Sequence, residues 1–211
     1  MLAFYKNMFS AANSGTNGFP LLFRRDAPTL HPVIHLLTLF NDMEEKYLII
    51  SGTDRPGSNT LKVAEQYQEL FREQGIEAQL LSLESYNPFE TTDIEKKWQE
   101  EWLIPAAKFI FISPEYNGSI PGILKLLIDR VDIRRVWWYK KAMLAGVSIG
   151  RAGNLRGMDH LTGILHYLKV HVLPNKLPLS SVDRFLNGEG RITDEATLRA
   201  MKTQVEEFIK Y

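Results

Sequence analysis

From residue 46 onward, short apolar runs rich in β-branched and aromatic residues alternate with longer segments whose apolar positions recur every three or four residues. The short runs are "KYLIIS" (46–51), "EAQLLSL" (77–83), "KFIFIS" (108–113), "AMLAGVSIG" (142–150) and "KVHVLPN" (169–175), and each predicts a strand. The longer segments predict helices over 59–74, 92–104, 121–130 and 155–168, with a closing helix over 194–210 introduced by "TDEATL". Strands that alternate with helices in this way build βαβ units, so the pattern predicts an α/β fold with one parallel, doubly wound sheet. In such a sheet ligands bind beyond the carboxyl ends of the strands, near the switch in strand order. The loops after strands one, three and four are therefore the ones to read for chemistry.

Residues 1–42 mix "MFSAANSGTNGF", "FRRDAP" and "PVIHLLTLF" without a sustained period, and predict neither strand nor helix. The apolar stretch comes late and holds His31, Pro32 and His35, which does not suit a secretory signal. Met43 opens "MEEKYLII", a natural start for the domain. The expected organisation is thus an N-terminal extension over 1–42, arising from an over-extended gene start or covering a neighbouring subunit, and one domain over 43–211.

Composition narrows the chemistry. Lys and Arg number 25 and so do Asp and Glu, so no net field draws the 211-residue chain to nucleic acid or an anionic membrane. The expected partners are small molecules or proteins, with no nucleic acid and no membrane. The chain has no cysteine, which removes disulfides, thiolate nucleophiles, Cys-ligated zinc and ordinary iron–sulfur clusters. Redox chemistry would then belong to a bound organic cofactor. No apolar run approaches the ~20 residues that span a bilayer, and the cytoplasm is the expected location.

The first loop, "SGTDRPGSNT" (51–60), precedes a helix beginning near Asn59, whose free N–H groups and positive dipole end suit an anion. Thr53, Ser58, Asn59 and Thr60 can add hydrogen bonds and Arg55 a charge-assisted one; an ordinary turn capped by Ser58 or Asn59 is the alternative. It matches neither the P-loop nor the GxGxxG fingerprint. The second loop, within "SPEYNGSIPGILKLLIDR" (113–130), is shaped by Pro114, Gly118, Pro121 and Gly122, and sets Glu115, Tyr116 and Asn117 where a planar ring could lie; a half-buried surface Tyr116 beside a solvated Glu115 is the alternative. The third, "SIGRAGNLRG" (148–157), carries Ser148, Arg151 and Arg156 among glycines at 150, 153 and 157 that suit close approach to a flat ligand edge; taken alone, it reads better as a glycine-rich surface loop capping the next helix, with both arginines in water.

Together the three loops resemble the NADPH-dependent FMN reductase family, flavodoxin-like flavin, quinone, azo-dye and chromate reductases. The resemblance covers essentially residues 45–180. The family pattern G-S-x-R-x-x-S with a following Asn falls on Gly52, Thr53, Arg55, Ser58 and, with a shift, Asn59, Thr53 replacing the usual Ser. The pattern P-E-Y-N-x-S-x-P-G-x-L-K-x-x-I-D runs from Pro114 to Asp129. The resemblance implies a flavodoxin-like three-layer sandwich, a five-stranded parallel sheet in the order 2-1-3-4-5 with helices on both faces. It implies that the first loop (Thr53, Arg55, Ser58, Asn59, Thr60) holds the FMN phosphate and that Pro114, Glu115, Tyr116, Asn117 and Gly118 line the isoalloxazine ring. Ser148, Gly150, Arg151 and Gly153 would border its pyrimidine edge. The implied function is an FMN-dependent NAD(P)H oxidoreductase that passes hydride through bound flavin to a flavin, quinone or similar small acceptor. The implied assembly is a homodimer or homotetramer.

Such a site needs no acid–base triad and no metal, and the chain offers neither. A flavodoxin-type carrier without NAD(P)H oxidation and a flavin-binding regulatory protein share the architecture; carriers are usually strongly acidic, and this chain is neutral. Arg130 departs from the aromatic residue common in relatives, and "IRRVWWYKK" (133–141) is unusually aromatic and basic. Trp137 and Trp138 are expected in core and interface, and His160, His166 and His171 in structural or surface roles. Arg130, Arg134, Arg135 and Arg151 leave NADPH and NADH equally open as donor.

Overall fold

The computed structural model describes residues 45–84, 86–88 and 92–211; the expectations for 1–42 fall outside these. The strands are β1 (Tyr47–Ser51), β2 (Gln79–Ser82), β3 (Lys108–Pro114), β4 (Lys141–Val147), β5 (His171–Val172) and β6 (Leu177–Leu179). They pair in parallel in the order β2-β1-β3-β4-β5, with β6 also on β4. The expected strand order is therefore present, with helices on both faces. Crossing from β1 to β2 on one side and to β3 on the other places the switch in strand order beside β1.

Alternation along the strands divides the core. Leu48, Ile50, Phe109, Phe111 and Leu144 face one way and pack on α3 (Gly122–Arg130), α4 (Ile133–Val136) and α5 (Leu155–Tyr167). Ile49, Ile110, Ile112, Met143 and Ala145 face the other way, against α1 (Asn59–Glu73) and α6 (Glu195–Lys210). β1 and β3 are buried on both faces, which is why they read as continuous apolar runs. Trp137 is fully buried against Phe109 and Phe111. Trp138 is instead half-buried at the surface, its ring 3.8 Å from Lys169 Nζ and 5.2 Å from the Arg134 guanidinium.

Two elements differ from expectation. The segment 92–104 begins as α2 (Thr92–Trp98) and continues as a π-helical turn over Gln99–Leu103, where Ile104 N donates to Gln99 O at 2.9 Å. The expected strand at 169–175 is shortened to β5, with Leu173 N still donating to Ala142 O at 2.8 Å; Pro174 has no N–H for the ladder, and the chain breaks from β4 over 174–176 and rejoins it as β6, a strand beyond the expected range. Gln204 of α6 fills that break. Its Nε2 donates to Leu144 O (3.0 Å) and Asn175 O (2.8 Å), and its Oε1 accepts from Tyr67 Oη (2.6 Å). Burial pushes the Tyr67 phenol well above its ordinary pKa, so it stays a donor.

Candidate functional site

The carboxyl ends of β1, β3 and β4 open into a cleft of about 820 Å³, within the roughly 300–1,000 Å³ of small-molecule pockets. On the β1 side the chain passes from Ser51 through an irregular loop into α1. Ser58, extended at φ −64°, ψ 149°, caps that helix: its Oγ accepts from Leu61 N at 3.1 Å. Ser58 is thus the helix cap and also lines the cleft. The N–H groups of Asn59 and Thr60, which line it too, have no partner among the described residues. Arg55 stands at the same end, its guanidinium 4.3 Å from the centre of the Tyr116 ring.

Tyr116 belongs to the turn after β3. Tyr116 N donates to Ser119 O (2.9 Å) and Ser119 N to Tyr116 O (3.1 Å), closing a tight reversal in which Asn117 (φ 53°) and Gly118 (φ 80°) are both left-handed. Two positive φ values in succession demand a type I′ turn, and Asn-Gly is the pair that adopts it at least cost. The turn's conformation is therefore set by its own residues, and it presents Pro114 to Gly118 along the floor of the cleft. Glu115 accepts from Arg156 at 2.9 Å, which lays the guanidinium over the turn, 3.8 Å from where a Cβ at Gly118 would stand.

The third wall is the loop after β4. Ser148 Oγ donates to Gly150 O (2.9 Å) and accepts from Gly153 N (3.0 Å), while Ser181 N and Val182 N donate to Gly150 O and Ser148 O. Ser148, Gly150 and Arg151 line the cleft. Gly153 does not: a Cβ there would lie 2.6 Å from the Cβ of Pro178. Likewise a Cβ on Gly157 would lie 2.0 Å from Asn154 Oδ1. These two glycines let the loop pack on protein, which corrects their expected use in approaching a ligand edge.

Twelve of the fourteen expected residues thus line one cleft, Thr53 and Gly153 being the exceptions. Thr53 is 1% exposed behind Tyr116 and shares a 2.6 Å hydrogen bond with its hydroxyl. Pro56, Val147, Ile149, Ala152 and Val182 line the cleft without having been singled out in the sequence; Val182 arrives from the turn after β6, far along the chain, with no local signal. Three arginines (55, 151 and 156) face one carboxylate, Glu115, so the cleft favours an anionic ligand. The other arginines stand elsewhere: Arg130 pairs with Glu95 at 2.7 Å and Arg135 with Glu100 at 2.8 Å. His160 shares a 2.9 Å hydrogen bond with Ser119, bracing the turn against α5.

A profile of the NADPH-dependent FMN reductase family matches residues 46–183, from β1 through the last strand to the turn at Val182. The chain belongs to this family. It is 28% identical over 114 residues to a 2-hydroxy-1,4-benzoquinone reductase of a Burkholderia species, covering 52% of this chain and 62% of that protein. It is 31% identical over 109 residues to the NAD(P)H-dependent FMN reductase PA1204 of Pseudomonas aeruginosa, covering 50% and 59%. The matched region is thus about six-tenths of each of these relatives. Among solved structures, FerB, a flavoenzyme NAD(P)H:(acceptor) oxidoreductase from Paracoccus denitrificans, superposes with a TM-score of 0.64 at 21% identity. That superposition covers 80% of this chain and 97% of FerB, a likeness of fold. Among the described residues no helix is long and apolar enough to cross a membrane, and no cluster of His, Asp and Glu has metal-binding geometry.

Proposed function

We propose that the protein is an FMN-dependent NAD(P)H oxidoreductase acting on a flavin, quinone or similar small acceptor, with residues 43–211 as the reductase domain. The observation that carries this reading is a cationic cleft in a family member with an unpaired helix N-terminus and Arg55 at one end and a rigid aromatic turn at its centre. The fit to FMN is chemical as well as spatial. Asn59 N, Thr60 N and Arg55 offer charge-assisted donors to a terminal phosphate. The Pro114–Gly118 turn and Tyr116 offer a flat edge and backbone donors to a planar ring, and Ser148, Gly150 and Arg151 a polar border for its pyrimidine side.

When bound, FMN supplies hydride acceptance from NADPH or NADH and electron delivery to the second substrate. The protein's part is binding and electrostatics. The I′ turn holds its backbone rigid, so its donors need no reorganisation during turnover. Arg151 and Arg156 place positive charge on the side of the cleft where negative charge would develop, and Glu115 fixes Arg156 there. Cytoplasmic location and a homodimer or homotetramer belong to the same reading; the apolar groove between α3 and α5, where Ile133 and Tyr167 are exposed, is the face available for assembly.

Steady-state oxidation of NADPH and NADH by FMN-loaded protein, with and without a benzoquinone, tests the proposal. Quinone-dependent turnover without any partner protein supports it. Stable FMN binding with no NAD(P)H oxidation would favour an electron carrier or flavin-binding regulator instead.

A further inference from the structure

The family pattern places the Thr53 position among the phosphate-loop residues, and the structure gives this side chain a different task. Thr53 is 1% exposed and does not line the cleft. Its single hydroxyl shares a 2.6 Å hydrogen bond with Tyr116 Oη and accepts from Arg55 N at 3.3 Å. A hydroxyl has one donor and two acceptor sites, and both contacts that Thr53 makes are to the protein. The residues it touches are the two that matter most to the cleft: Arg55 at the phosphate end and Tyr116 at the ring end, themselves stacked at 4.3 Å. Sixty-three positions separate Thr53 from Tyr116, so this bond ties the loop after β1 to the loop after β3.

We propose, resting on the flavin reading above, that Thr53 is a positioning residue that acts through Tyr116 and makes no contact with the phosphate. The hydroxyl pair pins the Tyr116 ring from its far end. Loss of the Thr53 hydroxyl therefore loosens the ring platform, which every flavin uses. A phosphate ligand would behave differently, because riboflavin shares the ring system of FMN and lacks the phosphate.

The test compares FMN with riboflavin binding, read by quenching of flavin fluorescence and by the position of the bound flavin's absorption bands. Thr53→Val removes the hydroxyl at nearly constant volume. The expected result is that it weakens both flavins by the same factor, about three- to tenfold for one lost neutral hydrogen bond, leaving the FMN-to-riboflavin ratio at its wild-type value. Thr53→Ser restores both affinities and the band positions. Tyr116→Phe reads the same bond from its more accessible end and gives the same parallel weakening, and Thr53→Val adds little in the Tyr116→Phe background, where only the longer 3.3 Å contact to Arg55 N is left to lose. Weakening of FMN alone would make Thr53 a phosphate ligand and overturn the proposal. Unchanged affinity for both flavins in Thr53→Val and Tyr116→Phe would overturn it as well. A wild-type protein that binds neither flavin would instead sink the flavin reading on which the proposal rests.

Discussion

Asn154 Nδ2 donates to Ser113 O at 2.8 Å, joining the loop after β4 to the carboxyl end of β3 from a fully buried position. Asn154 holds a left-handed conformation (φ 62°), and its Oδ1 fills the space that a side chain on Gly157 would need. The pair fixes two walls of the cleft relative to each other. Gly157→Ala therefore forces the Asn154 carboxamide to move, and overpacking of this kind costs about 1–3 kcal/mol. Denaturant unfolding should show that loss, accompanied by weaker FMN binding; full stability in Gly157→Ala would mean that the loop can repack freely.

Arg55 stands alone among the cleft's arginines at the α1 end. Hydrogen bonds to charged groups contribute about 1.5–3 kcal/mol, so Arg55→Ala should weaken FMN by roughly ten- to a hundredfold. Riboflavin should be affected far less, and the urea midpoint should stay near wild type because Arg55 is exposed. Equal weakening of both flavins would place the phosphate elsewhere.

What could be read from the chain alone follows the range of the interactions involved. β1, β3 and α1 are legible because burial on both faces, or on one stripe, leaves a periodic trace in consecutive residues. The cleft loops are legible because their residue types are unusual and lie at the ends of legible strands. Three features escaped for physical reasons. Asn117-Gly118 carries a strong turn signal, but its neighbours read as a ligand-binding loop, and only the φ values show that the turn comes first. Gly153 and Gly157 answer to Pro178 and Asn154, contacts that spacing does not encode. Gln204 looks like any polar residue of an amphipathic helix, yet its partners lie 29, 60 and 137 positions away.

That buried glutamine gives a stability prediction. Gln204→Leu keeps the size of the side chain but strands Tyr67 Oη, Leu144 O and Asn175 O, at about 1–3 kcal/mol for each group left unsatisfied. The variant should unfold at a distinctly lower urea midpoint. Gln204→Leu with Tyr67→Phe should recover part of the loss, since it removes one of the stranded groups. No recovery would show that Tyr67 finds another partner.

Several carboxylates are held below their ordinary pKa by hydrogen-bonding partners: Asp194 by the Thr197 side chain and backbone at the start of α6, Glu100 by Arg135, and Asp159 by Lys176. A folded-state pKa below the unfolded value gives a contribution that is fully present above the unfolded pKa, near 4, and lost as pH falls through the folded value. The urea midpoint should therefore drop as the pH is lowered below about 4. Asp194→Ala should have a lower midpoint at neutral pH and a shallower decline in acid. An identical acid slope in that variant would remove Asp194 from the account.

The most direct test of the central claim is an anaerobic absorbance titration of FMN-loaded protein with NADPH, followed by a benzoquinone. The account predicts that the flavin band bleaches in proportion to the NADPH added and returns on adding the quinone. A bound flavin that neither NADPH nor NADH can bleach would contradict the assignment of an NAD(P)H-dependent reductase, and a protein that takes up no FMN would contradict the cleft assignment itself.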